Sequence, residues 1–188
     1  MEWIVPVVIL VVVVLLVVFV ISVYNKLVVS RNKVRNSWSQ IDVQLKRRFD
    51  LLPNLMETVK GYAKHEKDIF EQFAKARSMY DNAAKSEDVT GMAQADSALS
   101  RTLGRLIAVS EAYPELKADK HFSEMMGNLK DTEDKIAFSR QFYNDVALSY
   151  NNLREVFPTI IIANMFQFKV ADYFKAEEES RENVKVSF

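Results

Sequence analysis

The chain has 188 residues, 49% of them apolar, with 25 basic and 25 acidic side chains and a formal net charge of zero. Its bulk charge therefore argues against a general nucleic-acid binder, and the absence of cysteine excludes disulfides, thiolate nucleophiles and cysteine-ligated zinc or iron–sulfur sites. Four glycines and four prolines are few breakers for this length, which favours long helices.

From Ile4 to Val23 the chain runs for twenty residues without a charge, interrupted only by Pro6 and Ser22. A helix of that length rises about 30 Å, the thickness of a hydrocarbon core. Valine and isoleucine are mediocre helix formers in water. In lipid a helix is the way for one segment to pair all its backbone groups. Pro6 falls in the first turn, where its missing N–H costs little. The run exceeds the ~7–15 apolar residues of a signal peptide, no basic stretch precedes it and no small-residue cleavage site follows. It reads as an uncleaved transmembrane helix over residues 4–23, with residues 1–3 as a short extracytoplasmic N-terminus. Glu2 is the one side-chain charge before the span, whereas Lys26, Arg31, Lys33 and Arg35 follow it before the first acid, Asp42. The positive-inside rule then puts the rest of the chain in the cytoplasm, and Trp3 and Tyr24 bracket the span as interfacial aromatics do. The four cations are either head-group contacts or the solvated start of a helix.

Beyond the span, apolar residues recur at alternating steps of three and four. Leu27, Val34, Trp38, Ile41, Leu45 and Leu52 share one register, with Arg31 and Arg48 in its two gaps. A second runs from Leu55 through Val59, Tyr62, Glu66, Ile69 and Phe73 to Tyr80. A third runs from Met92 through Leu99, Thr102 and Leu106 to Tyr113. The fourth, from Phe122 through Leu129, Thr132, Ile136, Ser139, Tyr143 and Tyr150 to Phe157, is the longest. Breaks are expected at Asp50–Asn54, where Pro53 disfavours helical geometry at Leu52; at Lys85–Gly91, with Ser86, Asp88 and Thr90 as cap candidates; at Tyr113–Lys117; and at Phe157–Pro158. The fold class is all-α: the N-terminal transmembrane helix continues into an antiparallel helical bundle of about four long helices. If Ile4 to Asp50 is one helix, it is roughly 70 Å long. The bundle domain occupies residues 24–174, and 175–188 form a charged, mobile tail.

The segment Thr159–Phe168 is too short to cross a bilayer. It either covers one end of the bundle or, as Ile160–Phe168, dips into membrane or binds a partner. Residues 24–60 carry eight basic and three acidic side chains, and residues 61–188 seventeen and twenty-one. This split fits contact between copies, contact with lipid, or a solvated face. Lys46-Arg47-Arg48 is the densest basic cluster, but it lies ~33 Å along a straight helix from the span, beyond a Debye length. The in-register polar residues Arg31, Arg48, Glu66, Thr102, Thr132 and Ser139 need partners if buried. A hairpin at Pro53 would make Arg48 and Glu66 one such pair.

No chemistry emerges. His65-Glu66 opens like a zinc-protease motif, but Ile69 stands where the second ligand is needed. His121 and Glu124 reverse the Glu-x-x-His order of di-iron bundles. There is no glycine-rich phosphate loop and no G-x-S-x-G elbow. The expectation is no catalytic, cofactor-binding or metal residue, no cofactor and no small-molecule substrate.

Several strings carry a resemblance: Tyr24-Asn25, Arg31-Asn32, Trp38 through Arg48, Asp50 through Leu55, and Val59 through Glu66. Tyr113-Pro-Glu-Leu-Lys117, Tyr143-Asn144, Tyr150-Asn151 and Phe157-Pro158 extend it over nearly the whole chain. In these the sequence resembles the LemA family. Ile160 and Gln167 depart from the family pattern, which has an asparagine and a glycine there. The resemblance implies a bacterial inner-membrane protein with a short outside N-terminus and a helical-bundle domain, and no enzyme. The expected function is a membrane-anchored, self-associating scaffold with the bilayer and further copies as partners. The alternative is an adaptor or sensor that binds another protein through the bundle.

Overall fold

The computed structural model describes residues 3–62 and 66–174. Glu2, His65 and the charged tail at 175–188 lie outside the described residues. All regular structure among the described residues is helical: α1 (Ile4–Tyr62), α2 (Lys67–Ser86), α3 (Val89–Ala112), α4 (Pro114–Ala118), α5 (Lys120–Glu155) and α6 (Thr159–Met165).

The break expected at Asp50–Asn54 does not occur, because α1 runs through Pro53 to Tyr62. A proline inside a helix removes one hydrogen bond, here the one to the Phe49 carbonyl, and costs about 3 kcal/mol. Around it Phe49, Leu52, Leu55 and Val59 are at most 4% exposed. Burying four such side chains contributes about 6–12 kcal/mol, at ~1.5–3 each, so packing carries the helix past the proline. Leu55 and Val59 thus belong to α1, while Ile69, Phe73 and Tyr80 belong to α2.

The chain divides into two units: residues 1–38 with 142–171, and residues 39–141 with 172–188. In the first, the apolar run of α1 is exposed from Ile4 to Phe19, and packing becomes tight at Leu27 and Val34. Tyr143, Ala147, Tyr150, Ile162, Ala163 and Phe168 complete that unit's core. Trp38 meets Tyr143 edge to face at 5.8 Å between ring centroids. After α6 the Gln167 and Phe168 amides still donate to α6 carbonyls, and side chains of α5 supply partners for the backbone beyond. The Asn151 amide donates to the Ala171 carbonyl and accepts from the Ala171 N–H, both at 2.9 Å. Tyr150 Oη donates to the Lys169 carbonyl, and Arg154 Nε to that of Phe168, each at 2.8 Å. Phe157, in register by spacing, is 79% exposed, because α5 ends at Glu155 and the chain turns away.

The second unit is built on the remaining heptad residues together with Phe49 and Leu116, which stand outside those registers. Ile41, Leu45, Phe49 and Leu55 of α1 are fully buried, as are Ala76 of α2, Met92, Leu99 and Leu106 of α3, Leu116 of α4 and Ile136 of α5, all at 1% exposure or less. Phe49 stacks on Tyr80 at 4.5 Å between centroids. The α2–α3 turn falls at the polar stretch singled out by the sequence. Glu87 closes α2 in the left-handed region at φ 52°. Asp88 caps α3 by accepting from the Thr90 N–H at 3.0 Å. Gly91 is required beside that cap, since a Cβ there would lie 2.6 Å from Asp88 Oδ2 and 3.0 Å from Ala83 Cβ.

Candidate functional site

The most unusual chemistry of the second unit is a charge cluster inside it. Arg48 of α1 is 3% exposed and Asp96 of α3 is 0% exposed. The Arg48 guanidinium forms ion pairs with Asp96 through Nη1 and with Glu133 of α5 through Nη2, the latter at 2.5 Å. Arg140, also on α5, forms an ion pair with the other Asp96 oxygen. Asp96 is therefore held between two guanidiniums, and the four formal charges cancel. The Arg140 guanidinium also lies 4.6 Å from the Phe174 ring centroid, a cation–π distance.

Burial strips water from both guanidiniums. It lowers the Arg48 pKa, with Glu133 opposing the shift. It brings Arg140 down to about 10, helped by repulsion from Arg48. Both stay protonated at neutral pH. Among the described residues neither Nε has a hydrogen-bond partner. The cluster is built to join α1, α3 and α5, where a missing member would leave a buried charge uncompensated.

Arg48 does not pair with Glu66, the partner considered from the sequence. With α1 unbroken at Pro53 there is no hairpin there to bring them together, and Glu66 instead precedes α2 as its N-cap. Thr102 and Thr132 satisfy themselves by donating to carbonyls four residues back, Ala98 and Asn128. Ser139 is buried, whereas Arg31 is exposed with its guanidinium 5.2 Å from the Phe168 ring. Asp96 and Arg140 were not singled out by the heptads, because each flanks a register position. A second column was readable at seven-residue spacing: Asp96, Leu103 and Ser110 on α3, and Glu133, Arg140 and Ala147 on α5.

Two other features lie on the second unit's surface. A groove of about 660 Å³ lies between α1 and α2, floored by Phe49, Pro53, Met56, Phe70 and Phe73 and edged by Lys60 and Arg77. Asp50 beside it is held below its usual pKa by hydrogen bonds from Lys46 and Arg77. His121 is exposed, and Glu124 pairs with Lys120 at 3.7 Å. Among the described residues no group of three or more His, Cys, Asp or Glu is placed to hold a metal ion.

Fold and site together define a class: an all-α protein with, among the described residues, one helix long and apolar enough to cross a membrane and a charge cluster that joins its helices. The chain belongs to the LemA family, whose model matches residues 37–188. It is similar to magnetosome protein MamQ 2 of Paramagnetospirillum magneticum, with 29% identity over 175 residues, covering 81% of this chain and 64% of the relative. It is also similar to protein LemA of Metamycoplasma hominis, with 28% identity over 163 residues, covering 87% and 74%. Magnetosome protein MamQ of Magnetospirillum gryphiswaldense is 26% identical over 174 residues, covering 80% and 64%. The chain thus spans 64% of the length of these MamQ relatives. Family and apolar helix together support a membrane-associated helical protein.

Proposed function

We propose that the protein is a membrane-anchored helical scaffold that self-associates and has no catalytic activity. The span is Ile4–Val23, the N-terminus is outside and the second unit is in the cytoplasm of a bacterial cell, at its inner membrane. The observation that carries the reading is α1 itself. One helix supplies both an apolar stretch that no other described residue covers and core residues of both units. Such a helix serves as an anchor and as framework at once.

Self-association is favoured by large apolar side chains that the second unit leaves uncovered, with Phe138 73% and Val43 61% exposed. A non-catalytic role is favoured by Asp96, whose carboxylate is held by two arginines. The test is native mass determination of the full-length chain in mild detergent. Multiples of its 21.7 kDa are expected; monomers alone would contradict self-association.

The groove at Phe49, Met56, Phe70 and Phe73 favours a second reading, an adaptor that binds another protein through the bundle. Partners that co-purify with the native chain and are lost with Met56→Lys would support it.

A further inference from the structure

In the first unit, an uncovered apolar surface begins where the apolar run of α1 ends. Tyr24, the residue after that run, meets Phe166 and Phe168 at 4.8 and 5.7 Å between ring centroids. Val20 and Val23, still inside the run, are already half-buried, whereas Ile4 to Phe19 are exposed. The segment around α6 is thereby fastened to α1 at the level of its last apolar turn, which spans about 5 Å.

That segment is itself apolar on its outer side. Phe157 is 79% exposed, Ile161 58%, Met165 60% and Phe166 47%. Phe157, Ile161 and Met165 are spaced by four, so the two within α6 share a face and Phe157 precedes them in the turn. The buried side chains Thr159, Ile162 and Ala163 turn the other way, into the unit's core. The sequence between Val156 and Ala171 contains no acid and one cation, Lys169, which is exposed. On α1, no acid occurs between Ile4 and Ile41, while Lys26, Arg31 and Lys33 are exposed.

We infer that this face is a second membrane contact, lying in the interfacial layer of the leaflet from which α1 emerges and favouring anionic lipid. The inference rests on the reading of Ile4–Val23 as a membrane span. Continuity with that span identifies the occupant, because Tyr24 marks the boundary and α6 is held against it. Charge complementarity points the same way. An apolar face bordered by cations, with its nearest carboxylates at its two ends in Glu155 and Asp172, matches an interfacial element, which buries its apolar side ~5–10 Å into the boundary of head groups and acyl chains. Exposed cations within a Debye length of an anionic leaflet strengthen such a contact.

The absence of cysteine from the chain makes the test direct. Full-length single variants Ile161→Cys, Met165→Cys, Val12→Cys and Lys85→Cys are labelled with an environment-sensitive fluorophore. They are reconstituted into vesicles of phosphatidylcholine with phosphatidylglycerol, carrying quencher lipids at shallow or deep acyl positions. All four positions are exposed, so labelling spares the core. Labels at Ile161 and Met165 are expected to shift to the blue and to be quenched most by the shallow quencher. The label at Val12 should respond most to the deep one, and that at Lys85 to neither. Replacing phosphatidylglycerol by phosphatidylcholine should weaken shallow quenching at Ile161 and Met165 and leave Val12 unchanged. If Val12 is quenched while Ile161 and Met165 remain in water, the interfacial contact is overturned and the anchor stands. A blue shift at Ile161 and Met165 without lipid quenching would assign the face to a protein, such as a second copy, and overturn the inference too. If Val12 is not quenched, the anchor fails and the inference fails with it.

Discussion

The two units fasten their interiors by different chemistry. The first closes its last segment with hydrogen bonds from Asn151, Tyr150 and Arg154 to backbone carbonyls. The second buries ion pairs among Arg48, Asp96, Glu133 and Arg140. A side chain that bonds backbone satisfies whichever segment lies beside it. An Asp between two arginines demands three helices in one arrangement, because loss of Asp96 leaves the buried Arg48 and the half-buried Arg140 charged and without it. The second unit is therefore the one whose helix register is enforced by charge.

The largest expected effect tests that contrast. Asp96→Ala should cost about 3–5 kcal/mol, since two guanidiniums lose their buried partner. Urea unfolding of the full-length protein in detergent, followed by circular dichroism, would read it. Replacing its three most buried members together, with Arg48→Met, Asp96→Leu and Arg140→Met, should restore much of that loss, since the Glu133 side chain left behind is 42% exposed and open to water. If the single and triple variants were equally unstable, the damage would lie in packing and not in stranded charge.

Asn151→Ala comes next. It removes both bonds to Ala171 and should cost about 2–3 kcal/mol if the freed groups stay dry. Hydrogen exchange should show the Ala171 amide losing protection while amides of α2 and α3 keep theirs. A cap substitution is smaller: Asp88→Ala should cost about 1 kcal/mol, the usual worth of an Asp N-cap. Gly91→Ala should destabilise the same turn by crowding the cap, and thermal melts of both variants would rank the two.

Acid should produce the smallest change. Asp50 is held below its ordinary pKa by Lys46 and Arg77. Asp119 is held below its own by the Phe122 N–H, with a further hydrogen bond from Tyr62. For depressed carboxyls the stabilisation is present above the ordinary Asp value, near ~3.9, and is lost as pH falls through the folded pKa. Melting temperature should therefore decline modestly below about pH 4, and Asp50→Asn should remove part of that decline. A melting temperature that rose on acidification would contradict the sign.

Much of the fold was legible because helix period and lipid thickness are strong physical constraints. The apolar run at Ile4–Val23, the all-helical class and the α2–α3 turn with its Asp88 cap follow from local pattern. Pro53 did not, because local preference for a break lost to the burial of Phe49, Leu52, Leu55 and Val59. Phe157 continues a heptad in sequence and is nonetheless exposed, since periodicity does not report where a helix stops. Asp96 and Arg140 were hidden by standing beside the register positions, where an acid and a base read as surface. The bonds from Asn151 to Ala171 join residues 20 apart without any periodic signal.

The central claim is that α1 is at once a membrane anchor and the framework of the helical domain. Alkaline carbonate extraction of membranes that carry the native full-length chain tests it most directly. The protein is expected to stay in the membrane pellet after the wash. Quantitative release into the supernatant, with the helical fold intact, would contradict it.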